Sequence, residues 1–190
     1  MSALIRSQRR ALQEQQERQG VRGQQYLTFT VTSELFGVAI VSIKEIIEYR
    51  ATTAVPMMPD FMRGIINLRG RVVPVIDLAV RFGRPRSAVT PRTCIVIVEA
   101  RQAGEQHDLG VVVDAVSAVA EIPDADIEPP PSFGARLRSD FITGMGKIDE
   151  RFVILLDVSK VLSIEELSTL GDIAQERAGS ESPVAEGARA

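Results

Sequence analysis

Reactive side chains are scarce in this sequence, which has one histidine, one cysteine and no tryptophan in 190 residues. Cys94 lies in the apolar run Cys94-Ile95-Val96-Ile97-Val98, so neither an intramolecular disulfide nor a multi-cysteine metal site can be built. His107 falls in the polar stretch Gly104-Glu105-Gln106-His107-Asp108, read as a solvated loop between two strands, and no second histidine exists to share a metal or a proton. No serine has the G-x-S-x-G setting of a nucleophile elbow. No Walker-type or G-x-G-x-x-G string offers a phosphate cradle. Asp124, Asp126 and Glu128, beside Pro129-Pro130-Pro131, lack the glycine and closing glutamate of an EF-hand loop and read as a solvated turn. These absences argue against an enzyme, a metal centre and a bound cofactor.

Two further deficits narrow the class. The formal net charge of −3 lacks the excess of Lys and Arg that gives a sequence-independent nucleic-acid binder its affinity, and 5% aromatic residues provide few stacking platforms for bases. No apolar stretch approaches the roughly 18 residues of a membrane span. Met1 to Arg10 holds three arginines but no apolar signal-peptide segment, so a cytoplasmic location without membrane insertion is expected.

What is present is the composition of a globular domain, 45% hydrophobic and 25% charged. Residues 1–24 are rich in Gln and Arg with few aliphatics, a flexible extension that could form a weak helix; residues 171–190, rich in Ala, Ser, Glu and Gly, read as a disordered tail. Between them, residues 25–170 carry mostly β signals. Tyr26 to Val31 and Leu35 to Ile40 flank the turn Thr32-Ser33, and Gly64 to Leu68 and Val72 to Ile76 flank Arg69-Gly70-Arg71, so each pair predicts a hairpin. Pro74 is expected at a sheet edge or a bulge, since it cannot donate to a ladder. Short helices are expected over Asp77 to Phe82 and Asp157 to Leu170, with Asp77 and Asp157 as N-caps.

The sequence also echoes itself. The stretch from Gly64 to Leu78 matches that from Gly144 to Val158 at an offset of 80 (144 − 64), in its opening glycine, polar tip ending in arginine, apolar strand and aspartate. Phe36-Gly37-Val38-Ala39-Ile40 matches Leu109-Gly110-Val111-Val112-Val113 at an offset of 73 (110 − 37). Two ordered copies of a strand set, each too small to bury its own face, predict two small barrels or curled sheets packed side by side.

By elimination the chain is a binding module, and three places could carry contacts. Arg69, at a hairpin tip, presents a donor fork suited to a partner carboxylate, or is an ordinary solvated turn arginine. In Val41 to Tyr49, the residues Ile43, Ile46 and Ile47 would line one face of a helical turn with Glu45 beside them, either as core or as a contact surface. The loop Val55-Pro56-Met57-Met58-Pro59-Asp60-Phe61-Met62 is either an exposed Met and Phe docking surface or a flap over one barrel's open end.

At these residues the chain resembles the CheW family of chemotaxis coupling proteins, over about Gln25 to Leu170. The run from Gly64 to Leu78 is similar nearly position for position to that family's G-[VI]-[IT]-N-L-R-G-x-[IV]-[VI]-P-[VI]-[VI]-[DN]-L signature. Phe36-Gly37-Val38, Ile43-Lys44-Glu45-Ile46, the run from Leu109 to Val116 and Phe141-Ile142-Thr143-Gly144 add to the likeness. The resemblance implies a mainly β fold of two intertwined five-stranded SH3-like barrels around a shared core, with short helices after each and a helical C-terminal segment. It implies a non-enzymatic, cofactor-free adaptor, cytoplasmic but recruited to membrane-associated arrays, that couples the cytoplasmic tip of a chemoreceptor to the regulatory domain of the histidine kinase CheA. Carried over to matching positions, Glu45 and Arg69 are expected to serve receptor coupling, with Ile43, Ile46, Val113 and Val116 lining the groove between subdomains that takes the receptor helix; Val55, Met57, Phe61 and Gly64 are chosen for the kinase side. The competing readings are an adaptor of a non-flagellar system, serving twitching motility or second-messenger control, and a small β-barrel that binds nucleic acid.

Overall fold

A computed structural model describes residues 23–102, 105–130 and 141–161. The expected tail 171–190, nearly all of the N-terminal extension 1–24 and most of the helix expected over Asp157 to Leu170 lie outside these residues. The described chain is mainly β. In order it runs β1 (Gly23–Val31), β2 (Glu34–Ala39), the 3-10 turn η1 (Ile40–Ser42), β3 (Ile43–Glu48), β4 (Met62–Leu68), β5 (Arg71–Asp77) and α1 (Leu78–Arg81). It continues through β6 (Cys94–Gln102), β7 (Glu105–Val113), β8 (Ala115–Pro123), η2 (Asp124–Asp126), β9 (Ile127–Glu128), β10 (Ile142–Ile148), β11 (Arg151–Leu156) and α2 (Val158–Val161).

Two sheets form, in the orders β8-β1-β2-β11-β10-β9 and β3-β6-β7-β5-β4. The first takes strands from both ends of the chain and the second takes the middle, so the two subdomains are intertwined. Both sequence echoes have the same cause. β4–β5 and β10–β11 are hairpins in identical register, Gly64 opposite Val75 and Gly144 opposite Leu155, each with a bulge before its glycine. Each hairpin then pairs in parallel with one copy of the second echo: Val75 lies opposite Gly110, and Leu155 opposite Gly37. A β-carbon on Gly110 would approach Val75 to 3.0 Å, and one on Gly37 would approach Leu155 to 3.0 Å, so glycine at both positions makes room for the facing aliphatic.

Neither ladder closes as a complete ring of hydrogen bonds; the chain itself joins the edges of each curled sheet. β8, at one edge of the first sheet, runs on through η2 into β9, which pairs with β10 near the other edge. From β3, at one edge of the second sheet, the chain runs on to Thr53, which bridges Ile65 on β4 at the opposite edge with both backbone bonds at 2.9 Å. Gly64 permits that closure. It takes φ 133°, and a β-carbon there would lie deep inside contact distance of the Thr53 carbonyl oxygen.

Three hydrophobic clusters fill the molecule. One lies inside the first sheet (Tyr26, Ile122, Val153, Leu155) and one inside the second (Ile66, Leu68, Val73, Val75, Ile95, Ile97, Val112). The largest lies between the sheets, with Phe29, Phe36 and Val38 from one meeting Val96, Val98, Leu109 and Val113 from the other. Each fully buried side chain of this kind contributes about 1.5–3 kcal/mol, so the shared core binds the halves into one unit. A ladder of stacked rings, Phe29 to Phe36, Phe82 and Phe141, runs through it with centroid spacings of 6.3, 5.5 and 5.2 Å.

Two sequence expectations are corrected. Pro74 lies in β5, an inner strand between β7 and β4, and neither at an edge nor at a bulge. It is tolerated because Ile65, its partner on β4, spends both backbone groups on Thr53, which turns Pro74's missing N–H toward β7, where pairing begins only at Val75. His107 and Asp108 belong to strand β7, opposite Ala100 and Glu99 on β6, because backbone pairing outweighs the polar composition of that stretch.

Gly64 and Gly70 differ in what surrounds their positive-φ backbone. Gly64→Ala is expected to destabilise by about 3 kcal/mol or more, whereas Gly70→Ala, with φ 83° but open space around it, is expected to cost about 1 kcal/mol. Denaturant midpoints compare them, and equal losses would contradict the assigned role of Gly64.

Candidate protein-binding site

The local geometry begins at the tip of the β4–β5 hairpin. Arg69 and Gly70 have φ of 53° and 83°, the two positive values of a two-residue type I′ turn, and the Asn67 side chain accepts the Gly70 N–H at 2.8 Å. The Asn-Leu-Arg-Gly string is thus a turn that closes itself and points an arginine outward. Glycine or asparagine ordinarily fills the first turn position; arginine there accepts a strain of about 1–2 kcal/mol. Arg69 is 81% exposed and donates to Glu45 Oε2 at 2.9 Å, while Glu45 is 24% exposed. Glu45 lies on β3 and Arg69 beside β4, the two edge strands of the second sheet, so the pair spans the seam where that sheet curls round.

The stretch after η1 is a strand and not the helical turn its mixed pattern suggested. β3 pairs with β6 with a bulge at Lys44: Ile43 lies opposite Val98, and Glu45 opposite Ile97. The extra residue flips the alternation. Ile43 and Ile46 share the face of Val98 and Val96, toward the shared core, while Glu45 and Ile47 turn to the face of Ile97 and Ile95. Ile43 packs against the shared core; Ile46 remains 43% exposed. Lys44, pushed out by the bulge, binds Asp108 and approaches Glu99 at 3.3 Å; Asp108 also binds Arg71, and Glu99 accepts from Arg101 at 2.9 Å.

The remaining expected contact residues separate by burial. Val116 is half-buried against the shared core, but Val113 is completely buried and is a core residue, since it ends β7, an inner strand, opposite Cys94 and offers no surface to a partner. Of the four residues assigned to the kinase side, Val55 and Phe61 pack onto the shared core, as does Met58, so the loop is largely a flap. Gly64 is buried beneath Thr53 and its role is the closure already described. Met57 alone stands out, fully exposed with φ 62° after Pro56, the position of a type II turn that glycine prefers. Sequence reasoning missed Val41, 83% exposed in η1, and Val119, 52% exposed on β8. The 73-residue echo pointed to the latter, because it carries Ile43 onto Val116 and Ile46 onto Val119 (119 − 46 = 73).

A CheW-like domain model matches residues 25–166. The chain belongs to the CheW-like family. It is 36% identical over 153 residues to the chemotaxis protein CheW of Klebsiella aerogenes, covering 80% of this chain and 90% of that one. It is 29% identical over 141 residues to the protein FrzA of Myxococcus xanthus, covering 73% and 85%. Among solved structures, the scaffolding protein TtCheW from Thermoanaerobacter tengcongensis superposes with a TM-score of 0.68 at 32% identity, over 76% of this chain and 91% of that one. The chain is therefore a non-enzymatic chemotaxis coupling adaptor, and that role implies a chemoreceptor and the kinase CheA as partners in general terms. No helix among the described residues is long and apolar enough to cross a membrane.

Two outcomes follow for the site itself. Arg69→Gly relieves the turn strain and removes an exposed ion pair worth under about 1 kcal/mol, so denaturant unfolding is expected to show unchanged or slightly raised stability; a loss above about 2 kcal/mol would make the pair the closure of the sheet. The Lys44 network is set by two opposed shifts. The Asp108 hydrogen bond holds the Lys44 ammonium above its ordinary 10.5, and the Arg101 hydrogen bond holds the Glu99 carboxyl below its ordinary 4.5. Lys44's raised value gives stability that is full below the free-lysine range and lost as pH climbs from there through the raised folded value; Glu99's lowered value gives stability present above the free-glutamate range and lost as pH falls from there through the lowered folded value. The Lys44 ammonium and Glu99 carboxyl signals themselves are therefore expected to show no titration step between about pH 6 and 9 and to titrate only outside that window.

Proposed function

We propose that the chain bridges the helical cytoplasmic tip of a chemoreceptor and the regulatory domain of CheA, using edge strands β3 and β8 for the receptor and the 51–61 loop for the kinase, and that it is thereby recruited to receptor arrays. The observation that carries this reading is the pair of edge strands flanking the shared core. Ile43 and Val116 are anchored in that core, while Ile46 and Val119 extend the same faces into solvent with Val41 nearby in sequence. Such a strip suits an amphipathic helix laid into a groove. Apolar burial there supplies affinity at about 25 cal/mol per Å² less the cost of ordering, and the Glu45–Arg69 pair at the neighbouring seam sets orientation and encounter rate. Met57, projected from a strained turn, supports a separate second surface, because strain in an exposed side chain persists where the fold gains something by presenting it.

The test separates the two surfaces by capture of a purified receptor cytoplasmic fragment and of the CheA regulatory domain. Ile46→Asp is expected to weaken receptor capture by at least about tenfold, roughly 1.4 kcal/mol, and to leave kinase capture intact. Met57→Ser is expected to do the reverse, and Arg69→Ala to slow receptor association most at low salt. Full receptor capture by a folded Ile46→Asp variant would end the groove assignment.

A further inference from the structure

Among the described residues, the second subdomain holds a buried charge centre where β4, β5 and the segment after α1 meet. Asp77, at the end of β5, is almost entirely buried, and its carboxylate faces two guanidiniums: Arg63 Nε at 3.3 Å and Arg86 Nε at 3.8 Å from Oδ2. Arg63 is itself nearly buried, and neither its Nε nor Asp77 Oδ2 makes a hydrogen bond despite the short separation, so charge and not hydrogen-bond geometry holds the group together. The other oxygen caps α1 by accepting the Val80 N–H at 3.3 Å.

Every arm of this centre reaches the 51–61 loop or its flanks. The Asp77 N–H donates to the Phe61 carbonyl at 2.7 Å, Arg86 donates to the Asp60 carbonyl at 2.9 Å, and the Arg63 carbonyl accepts from the Thr52 hydroxyl at 2.7 Å. Arg63 also lies over the Tyr49 ring at 5.5 Å, where β3 hands over to the loop, and Arg81 of α1 lies over the Phe61 ring at 4.7 Å. The echo position provides an internal contrast. Asp157 also sits at a helix start and donates its N–H to the Phe141 carbonyl, but Thr143 stands where Arg63 would be (143 − 63 = 80), and Asp157's cationic partner is Lys160 of its own helix. Only the copy that carries the 51–61 loop has the buried two-arginine arrangement among the described residues.

We infer that Asp77 is a positioning residue, a charge latch whose carboxylate holds Arg63 and Arg86 together and so fixes the 51–61 loop and the exposed Met57 on the second subdomain. One negative group balances two positive ones here. Without the carboxylate, two guanidiniums share a poorly solvated site and repel; Arg63 is confined by burial, so Arg86, half-exposed, swings outward and takes its bond to the Asp60 carbonyl with it. The consequence for kinase docking rests on the reading of this loop given above.

Amide hydrogen exchange on the full chain tests the latch without any partner. Asp77→Asn, which keeps a capping oxygen and removes the charge, is expected to speed exchange at Thr53 and Met62 by about tenfold or more while amides of β1, β2 and β11 keep their rates. Arg86→Met, which leaves the Asp77–Arg63 pair in place, is expected to loosen the same amides with little change in global stability, and covers the case in which Asp77→Asn folds poorly. Asp157→Asn is the control and is expected to leave residues 51–61 unchanged. Unaltered loop exchange in both the Asp77→Asn and Arg86→Met variants, or acceleration spread evenly over the whole chain in both, would overturn the inference. Local loosening at full capture of the CheA regulatory domain would uphold the latch and instead remove the loop from the kinase surface.

Discussion

Each sheet has more apolar surface than the other can cover, and this mismatch governs the rest of the molecule. The shared core seals where inner strands face inner strands, with Phe29 and Val38 on one side and Val96, Val98 and Val113 on the other. It thins toward the edge strands, where Ile43 and Val116 are half-covered and Ile46 and Val119 protrude. The proposed docking strip is therefore continuous with the core and is formed of the same side chains, in the same rows, one position further out. An adaptor built this way gains a rigid contact surface at no extra ordering cost, because the residues that anchor the strip are already fixed by folding.

Much of this was legible in the sequence, because the residues that make the fold also make the pattern. The echoes at 80 and 73 residues mark hairpins in identical register and the parallel pairs that join them, and the matched glycines mark the places where a β-carbon has no room. Asp77 and Asp157 cap their helices as their positions suggested. What the pattern hid was the effect of single insertions and of distant partners. One bulged residue, Lys44, brought Ile43 and Ile46 onto the same face of a strand, and no periodicity reading can place a bulge that is stabilised by Asp108 and Glu99 far along the chain. Pro74 was misplaced for the same reason: its tolerance depends on Thr53 engaging Ile65 from the other side. Val113 looked like a groove residue because apolar character does not tell a central strand from an edge.

The site residues show a second limit. Arg69, Met57, Thr32, Ser33, Asp149 and Glu150 all have positive φ without being glycine. Two pairs of these, Thr32-Ser33 and Asp149-Glu150, are hairpin tips made of small or polar residues, the types that tolerate this conformation best. Arg69 and Met57 are long side chains in the same conformation, exposed and without apolar burial to compensate them. A turn type can be read from a sequence when its residues are the favoured ones; it is least visible where a disfavoured residue is kept for its side chain, which is where contacts with other proteins are most expected.

Duplication explains the scaffold, and its breaking explains how one scaffold can hold two different surfaces. The fold is nearly two-fold in its strand order, bulges and closures, yet the chemistry is not. Glu45 of the first copy becomes Ala118 in the second (118 − 45 = 73), and Arg69 becomes Asp149 (149 − 69 = 80), so the second copy cannot repeat the ion pair across the seam at these positions. Arg63 becomes Thr143, so among the described residues the buried charge centre also belongs to one copy. A perfectly symmetric double barrel would offer every partner two equivalent sites and could not hold two different proteins in fixed relation. Placing both charge features on the second subdomain, while leaving the apolar edge strip on both, gives a molecule in which shape is shared and charge is one-sided.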